Sequence, residues 1–209
     1  MRILSVGEIL WDVFEEGEFL GGAPLNFAGS AQRLGNTVSL LTAVGDDARG
    51  ALAIGSMRNV GISTALVQTV ANVRTGTATV ITDASGNASF TIQRPAAFDF
   101  VSLDESRLSE ISLLRPDWIY FGTLAHTTEE AERRLTHLLD ANPRARCFYD
   151  INLRDGHWDL DLVERLSRLA FVIKPNEAEA EKLSNWSTIP SPTPSRHFAE
   201  VGHRLMEEG

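Results

Sequence analysis

Asp12, the adjacent Gly21 and Gly22, and Asn26 lie within fifteen positions of one another, and together they could grip a polyhydroxylated ligand. A carboxylate accepts hydrogen bonds from two neighbouring hydroxyls, and charged acceptors bind more strongly than neutral ones. A glycine pair lets backbone approach a ligand where a Cβ would intrude. The Asn26 amide offers donors and an acceptor together, which suits a vicinal diol. Pro24 stands where the first turn of a helix tolerates a missing N–H. Plainer structural readings stand beside these. Two glycines also make a tight turn before a helix cap, and Asp12 also reads as a solvated loop acid among Glu8, Glu15 and Glu16.

Two further clusters follow apolar runs. After RCFYD come Asp150, Asn152 and Arg154, polar groups at a strand's carboxyl end. Arg154 is a bidentate donor suited to phosphate or carboxylate oxygens; a helix-capping loop is the structural alternative. The run VIKPNEAEAEKL holds Asn176 and Glu179, and its acids also form a first turn favourable to the helix dipole. Lys174 could reach a phosphate or simply be solvated. Arg94, with Phe90 and Phe98 nearby, is read as closing over the ligand from a hairpin, with an ordinary strand arginine as the alternative. His126 falls on the ligand side of a strand and is given no role.

The spacing from Gly21 and Gly22 through Asn26 and Ala28 to Gly35 and Gly45 resembles the first signature of the ribokinase-like (PfkB) carbohydrate kinases, in particular the fructokinase branch. The D-x-N-x-R pattern of Asp150, Asn152 and Arg154 resembles the fructokinase and ketodeoxygluconate-kinase branches. Asn176 and Glu179 are similar to the family's N-x-x-E element. The resemblance implies ATP-dependent phosphorylation of a sugar hydroxyl. Asp12, Gly21, Gly22, Asn26, Arg94 and Arg154 are then the substrate-binding candidates. Asn176 and Glu179 would organise Mg²⁺ near the ATP phosphates, Glu179 largely through water, as befits an ion that keeps its own waters. It further implies a three-layer α/β fold with a mainly parallel sheet and a small β lid that covers the sugar and pairs two copies into a homodimer.

The family's second signature, D-T-x-G-A-G-D, is not found in this sequence. Its last aspartate is the family's catalytic base, so that base is expected beyond Gly209 and the C-terminal portion of the fold is expected to be missing. A non-catalytic sugar-binding or regulatory remnant is the alternative function. No G-x-x-x-x-G-K-[ST] run points to a P-loop kinase, no G-x-G-x-x-G follows the first strand to support a dinucleotide-binding oxidoreductase, and the His and Cys residues form no zinc motif.

The elements that must position these groups are legible as short apolar runs alternating with helical periodicity. Residues 3–6, 38–44, 118–121, 146–149 and 171–174 read as strands. Helices are expected at 24–34, from Asp46 or Asp47 to Val60 with Gly61 closing it, at 128–140, around 162–169, and at 177–183. Such alternation argues for a parallel sheet covered on both faces. Lid segments are expected at about 11–20 and 77–98, the second a hairpin turning at 84–87. A Ser/Thr/Pro loop is expected at 185–195 and a last helix at 197–208, all within one incomplete domain spanning 1–209.

Composition sets outer bounds. Hydrophobic residues make up 43% and charged residues 22% of the 209, and the formal net charge is −9. That balance argues against nucleic acid or an anionic membrane as partner, since both need clustered Lys and Arg. One cysteine, Cys147, cannot form an internal disulfide. With no secretory pattern and no apolar run of about 20 residues, a cytoplasmic location is expected.

Overall fold

Ile3 and Ser5 point to one side of an extended chain, and Leu4 and Val6 to the other. All four are buried, so this strand must be covered on both faces. It is β1 (Arg2–Val6), at the middle of the main sheet. The computed structural model describes residues 1–82 and 88–184. The turn expected at 84–87, the loop at 185–195 and the helix at 197–208 lie outside the described residues.

In chain order there follow β2 (Leu10–Phe14), β3 (Gly17–Gly21), α1 (Ala23–Arg33), β4 (Thr37–Gly45), α2 (Ala48–Asn59), β5 (Val67–Val70), β6 (Gly76–Thr82) and β7 (Ala88–Gln93). Then come α3 (Glu105–Leu114), β8 (Trp118–Gly122), α4 (Glu129–Asp140), β9 (Arg146–Asp150), α5 (Leu160–Arg168), β10 (Val172–Lys174) and α6 (Glu177–Ser184). The main sheet has the order β10-β9-β8-β1-β4-β5 with every neighbouring pair parallel.

Two apolar clusters make the layers. Ile3, Val38 and Leu40 pack with Leu25 and Ala28 of α1 and with Ala53 and Met57 of α2. Leu4, Leu41, Ile119 and Tyr149 pack with Leu108 of α3, Leu135 and Leu138 of α4, and Leu162 and Leu166 of α5. Helices thus cover both faces, and each fully buried large side chain contributes about 1.5–3 kcal/mol. The expected three-layer α/β architecture is the one observed. Asp47 caps α2 by accepting from Gly50 N at 2.8 Å, and it also accepts from Thr75 N at 2.8 Å, which ties α2 to the segment entering β6.

A second, four-stranded sheet has the order β3-β2-β6-β7. Hairpins β2–β3 and β6–β7 are antiparallel, and they join through a parallel seam between β2 and β6. Leu10, Ala78, Ile92, Ala96, Phe98 and Leu124 bury the root of this lid. Two elements were not expected from periodicity, the short edge strand β5 and α3, in which only Leu108 and Ile111 are buried.

From β1 the chain builds outward to β4 and β5, then returns to build β8, β9 and β10 on the other side. Open sheets of this kind leave a crevice at the carboxyl ends where the winding reverses. The boundary between β1 and β8 is that place.

Candidate functional site

The chain leaving β1 and the two lid hairpins meet over this crevice and enclose a pocket of about 540 Å³. Asp12, Gly22, Asn26, Asp150, Asn152 and Arg154 all line it, together with Phe27, Phe90, Tyr120 and Phe148. Three of its aromatic rings form one wall: Phe27 stacks on Tyr120 with centroids 4.0 Å apart, and Phe148 lies 5.8 Å from each. A mostly apolar pocket with a few placed polar groups is the usual form of a small-molecule site.

The glycine pair is required by its surroundings. Gly22 has φ 108°, and a Cβ there would stand 2.5 Å from the Glu8 carbonyl oxygen. Gly21 faces Asp12 across the β2–β3 ladder, and a Cβ on it would run into the Asp12 carboxylate. Gly22 therefore lines the pocket itself, while Gly21 makes room for Asp12 and is not part of the lining. The Asp12 carboxylate and the Asn26 side chain have no protein hydrogen bond among the described residues, so both are free for a ligand. Partial burial pushes the Asp12 carboxyl up from its usual pKa, and the charge of Arg154 pulls the other way. The Arg154 guanidinium sits 5.3 Å over the Phe90 ring and, among the described residues, donates only to the Leu153 carbonyl, at 3.2 Å. Asn152 takes φ 40°, a left-handed turn that Asn adopts more readily than most residues.

Arg94 corrects the expectation that it closes over the ligand. Its guanidinium makes a bidentate pair with Asp99, donates to the Leu124 carbonyl at 3.1 Å and to Thr127 Oγ1 at 2.8 Å, and lies over the Phe98 ring. These contacts bind the exit of β7 to the turn after β8. Arg94 faces a separate, larger cleft of about 1040 Å³. We assign that cleft no ligand, because its Arg94 and Arg134 are already paired, the latter with Glu130 and the Asp99 carbonyl.

Asn176 and Glu179 stand away from the pocket lining and hold each other. Asn176 Oδ1 accepts from Glu179 N at 2.8 Å, and Glu179 Oε2 accepts from Asn176 N at 2.8 Å. This is a reciprocal cap on α6. Glu179 Oε1 accepts from Leu153 N at 2.8 Å, so the same carboxylate also steadies the loop carrying Arg154. With both oxygens on backbone donors, Glu179 suits contact with a metal through water and does not suit direct coordination. No cluster of three His, Cys, Asp or Glu residues able to hold a metal is found among the described residues.

Residues 5–203 match the family described as pfkB family carbohydrate kinase. The chain belongs to that family. It is 28% identical over 203 residues to a fructokinase of Klebsiella pneumoniae, covering 91% of this chain and 65% of that protein. A fructokinase-1 of Zea mays is 27% identical over 209 residues, with 90% and 64% covered. The chain thus spans just under two thirds of the length of these curated relatives. Among solved structures, the fructokinase of Xylella fastidiosa with bound ATP superposes with a TM-score of 0.76 at 23% identity, covering 89% of this chain and 61% of that one. At that identity the likeness establishes the fold. No helix among the described residues is long and apolar enough to cross a membrane.

Two residues of this pfkB pocket, Glu8 and Tyr120, have no site role in the sequence reading, and Lys174, read as reaching a phosphate or being solvated, is paired with an acid. Glu8 is 3% exposed, and burial pushes its carboxyl up to about 7. Its Oε1 accepts from Ala23 N at 3.2 Å. Tyr120 donates its hydroxyl to Asp150 Oδ2 at 2.7 Å, and Lys174 donates to Asp150 Oδ1 at 3.0 Å. Burial, and then the Asp150 charge, push the Tyr120 hydroxyl far up, so it remains a donor. A polar residue one or two positions after an apolar strand was the available signal for Glu8. His126 is buried with neither ring nitrogen hydrogen-bonded among the described residues, and burial lowers it to about 4, so it is a neutral ring packed edge-on against Phe121.

Proposed function

We propose that this chain binds a neutral hexose, fructose first, as the sugar-holding part of an ATP-dependent kinase reaction. The observation that carries the reading is the pocket itself. Asp12 and Asn26, whose side chains make no protein hydrogen bond among the described residues, line it with Gly22 and Arg154 at the carboxyl end of a parallel sheet under a β lid. Asp12 would accept from two sugar hydroxyls, Asn26 would donate and accept, and Arg154 would meet anionic oxygen. A neutral ligand is favoured over a sugar acid, because Lys174 is paired with Asp150 and Arg94 is turned away. Arg154 alone then faces Asp12 and Glu8.

In the reaction, the oxygen of a sugar hydroxyl would attack the γ-phosphorus of ATP in line, and the bond to the β–γ bridging oxygen would break with ADP leaving. The hydroxyl proton would pass to the family's catalytic base, whose signature this sequence lacks. Such transfers are driven by positioning and charge neutralisation. Mg²⁺ would accompany the nucleotide and neutralise its phosphates. Glu179 would keep the Arg154 loop and the start of α6 in place. The lid would exclude water that competes for the phosphoryl group. Its exposed Phe19 suits the pairing of two copies into a homodimer.

Titration calorimetry with fructose and with ketodeoxygluconate, without nucleotide, tests the reading. Fructose is expected to bind and the sugar acid to bind at least tenfold more weakly. The reverse order, or no binding of either, overturns it. No turnover with ATP is expected of these 209 residues alone, since the family's second signature is absent from the sequence.

A further inference from the structure

Glu8 and Asp150 are the pocket acids to which the sugar reading gives no task, and Asp150 is already engaged by Tyr120 and Lys174. Glu8 follows β1 almost directly, and its Oε1 holds the first N–H of α1, on Ala23. Its Oε2 is buried with no hydrogen-bond partner among the described residues. A buried polar atom left unpaired is uncommon in a native fold and calls for a cause. The residue is wedged among ligand-facing groups. Gly22 packs on its carbonyl oxygen, and Asn26 lies on the helix whose first turn it tethers.

We propose, resting on the reading that this pocket takes a sugar, that Glu8 is a further substrate-directed residue. Its Oε1 fixes the start of α1, and its Oε2 accepts a hydroxyl hydrogen of the bound sugar, directly or through one water. Arg154 from the loop after β9 and Asp150 at the end of β9 act on it electrostatically, and its own charge bears on Tyr120 on β8. Asp12 on β2 and Lys174 on β10 complete the charged and titratable groups of the pocket. Tyr120 already donates to Asp150 and is not available to Glu8. Burial outweighs the favourable charge of Arg154, so near neutral pH Glu8 is divided between its protonated and ionised forms. A hydroxyl donating to Oε2 favours the ionised form, so binding expels a proton.

The test is calorimetric titration of the 209-residue chain with fructose at pH 6, 7 and 8, in buffers of differing ionisation enthalpy. It is run beside Glu8→Gln, whose amide oxygen can still accept from Ala23. Affinity is expected to rise roughly three- to tenfold from pH 6 to pH 8, with proton release near pH 7. Both effects are expected to vanish in Glu8→Gln. The carboxyl ¹³C shift of Glu8 in the unsubstituted protein gives a second reading, its midpoint moving down when fructose is added. Fructose binding without proton release, with an unmoved Glu8 midpoint, or with the same trend in Glu8→Gln overturns the role of Glu8 and leaves the sugar reading standing. No fructose binding at any pH removes the sugar reading and this role with it.

Discussion

Arg94 and Arg154 occupy neighbouring hollows of opposite character. Around Arg94 the charged groups are satisfied by protein: the guanidinium meets Asp99, a carbonyl and a hydroxyl, and Arg134 meets Glu130 and a carbonyl. Around Arg154 polar groups are left open: among the described residues the side chains of Asp12 and Asn26 make no protein hydrogen bond, and one Glu8 oxygen is buried without a hydrogen-bond partner. A region that completes its own hydrogen bonds adds stability. One that leaves them incomplete gives up stability where a ligand is to supply the missing partner. The two arginines look alike in sequence and differ in this one respect.

The contrast breaks most visibly at Arg94. Arg94→Ala strands the partly buried Asp99 and is expected to cost about 4 kcal/mol, lowering the melting temperature on the order of 10 °C, with fructose affinity held within about twofold. Loss of fructose binding in a folded Arg94→Ala protein would erase the distinction. Next comes Glu8. Its folded pKa of about 7 lies above the unfolded 4.5, so ionisation is penalised in the fold. That penalty is absent below about pH 4.5, grows through the interval and is complete above pH 7. Glu8→Gln is therefore expected to be more stable by about 3 kcal/mol at pH 8 and unchanged at pH 4, read from urea unfolding. A destabilised variant at pH 8 would mean that Glu8 belongs with the self-satisfied groups. Asp12→Asn is expected to weaken fructose binding by roughly 10- to 30-fold, about 1.5–2 kcal/mol, without lowering the melting temperature. Smallest is Arg154→Gln, expected to weaken binding about fivefold, about 1 kcal/mol, through loss of charge beside Asp12 and Phe90. An unchanged affinity there would remove Arg154 from the ligand.

Much of the frame could be read without coordinates, because β1, β4, β8 and β9 are apolar runs and α4 and α5 carry regular stripes. The strand β5 escaped notice because it has four residues at a sheet edge with Gln68 and Thr69 inside it. α3 escaped because two buried positions make too faint a stripe. In the site, the Gly22–Asn26 spacing is local and therefore visible. The burial of Glu8 is not local: it arises when α1 folds back over the end of β1. The capture of Arg94 depends on Leu124 and Thr127, some thirty positions away. Sequence spacing shows which groups could meet a ligand; only the packed chain shows which of them the protein has already engaged.

The parallel seam between the two lid hairpins has a consequence for how the chain is made. Leu10 aligns with Gly76, and no shorter path completes that ladder. At about 5–20 residues per second of synthesis, the first hairpin leaves the ribosome seconds before its companion exists. Until then its Asp12 is held on one flank only. The cover of the pocket is thus assembled after the first half of the floor, and the nascent protein passes through a stage with an open strand edge on β2.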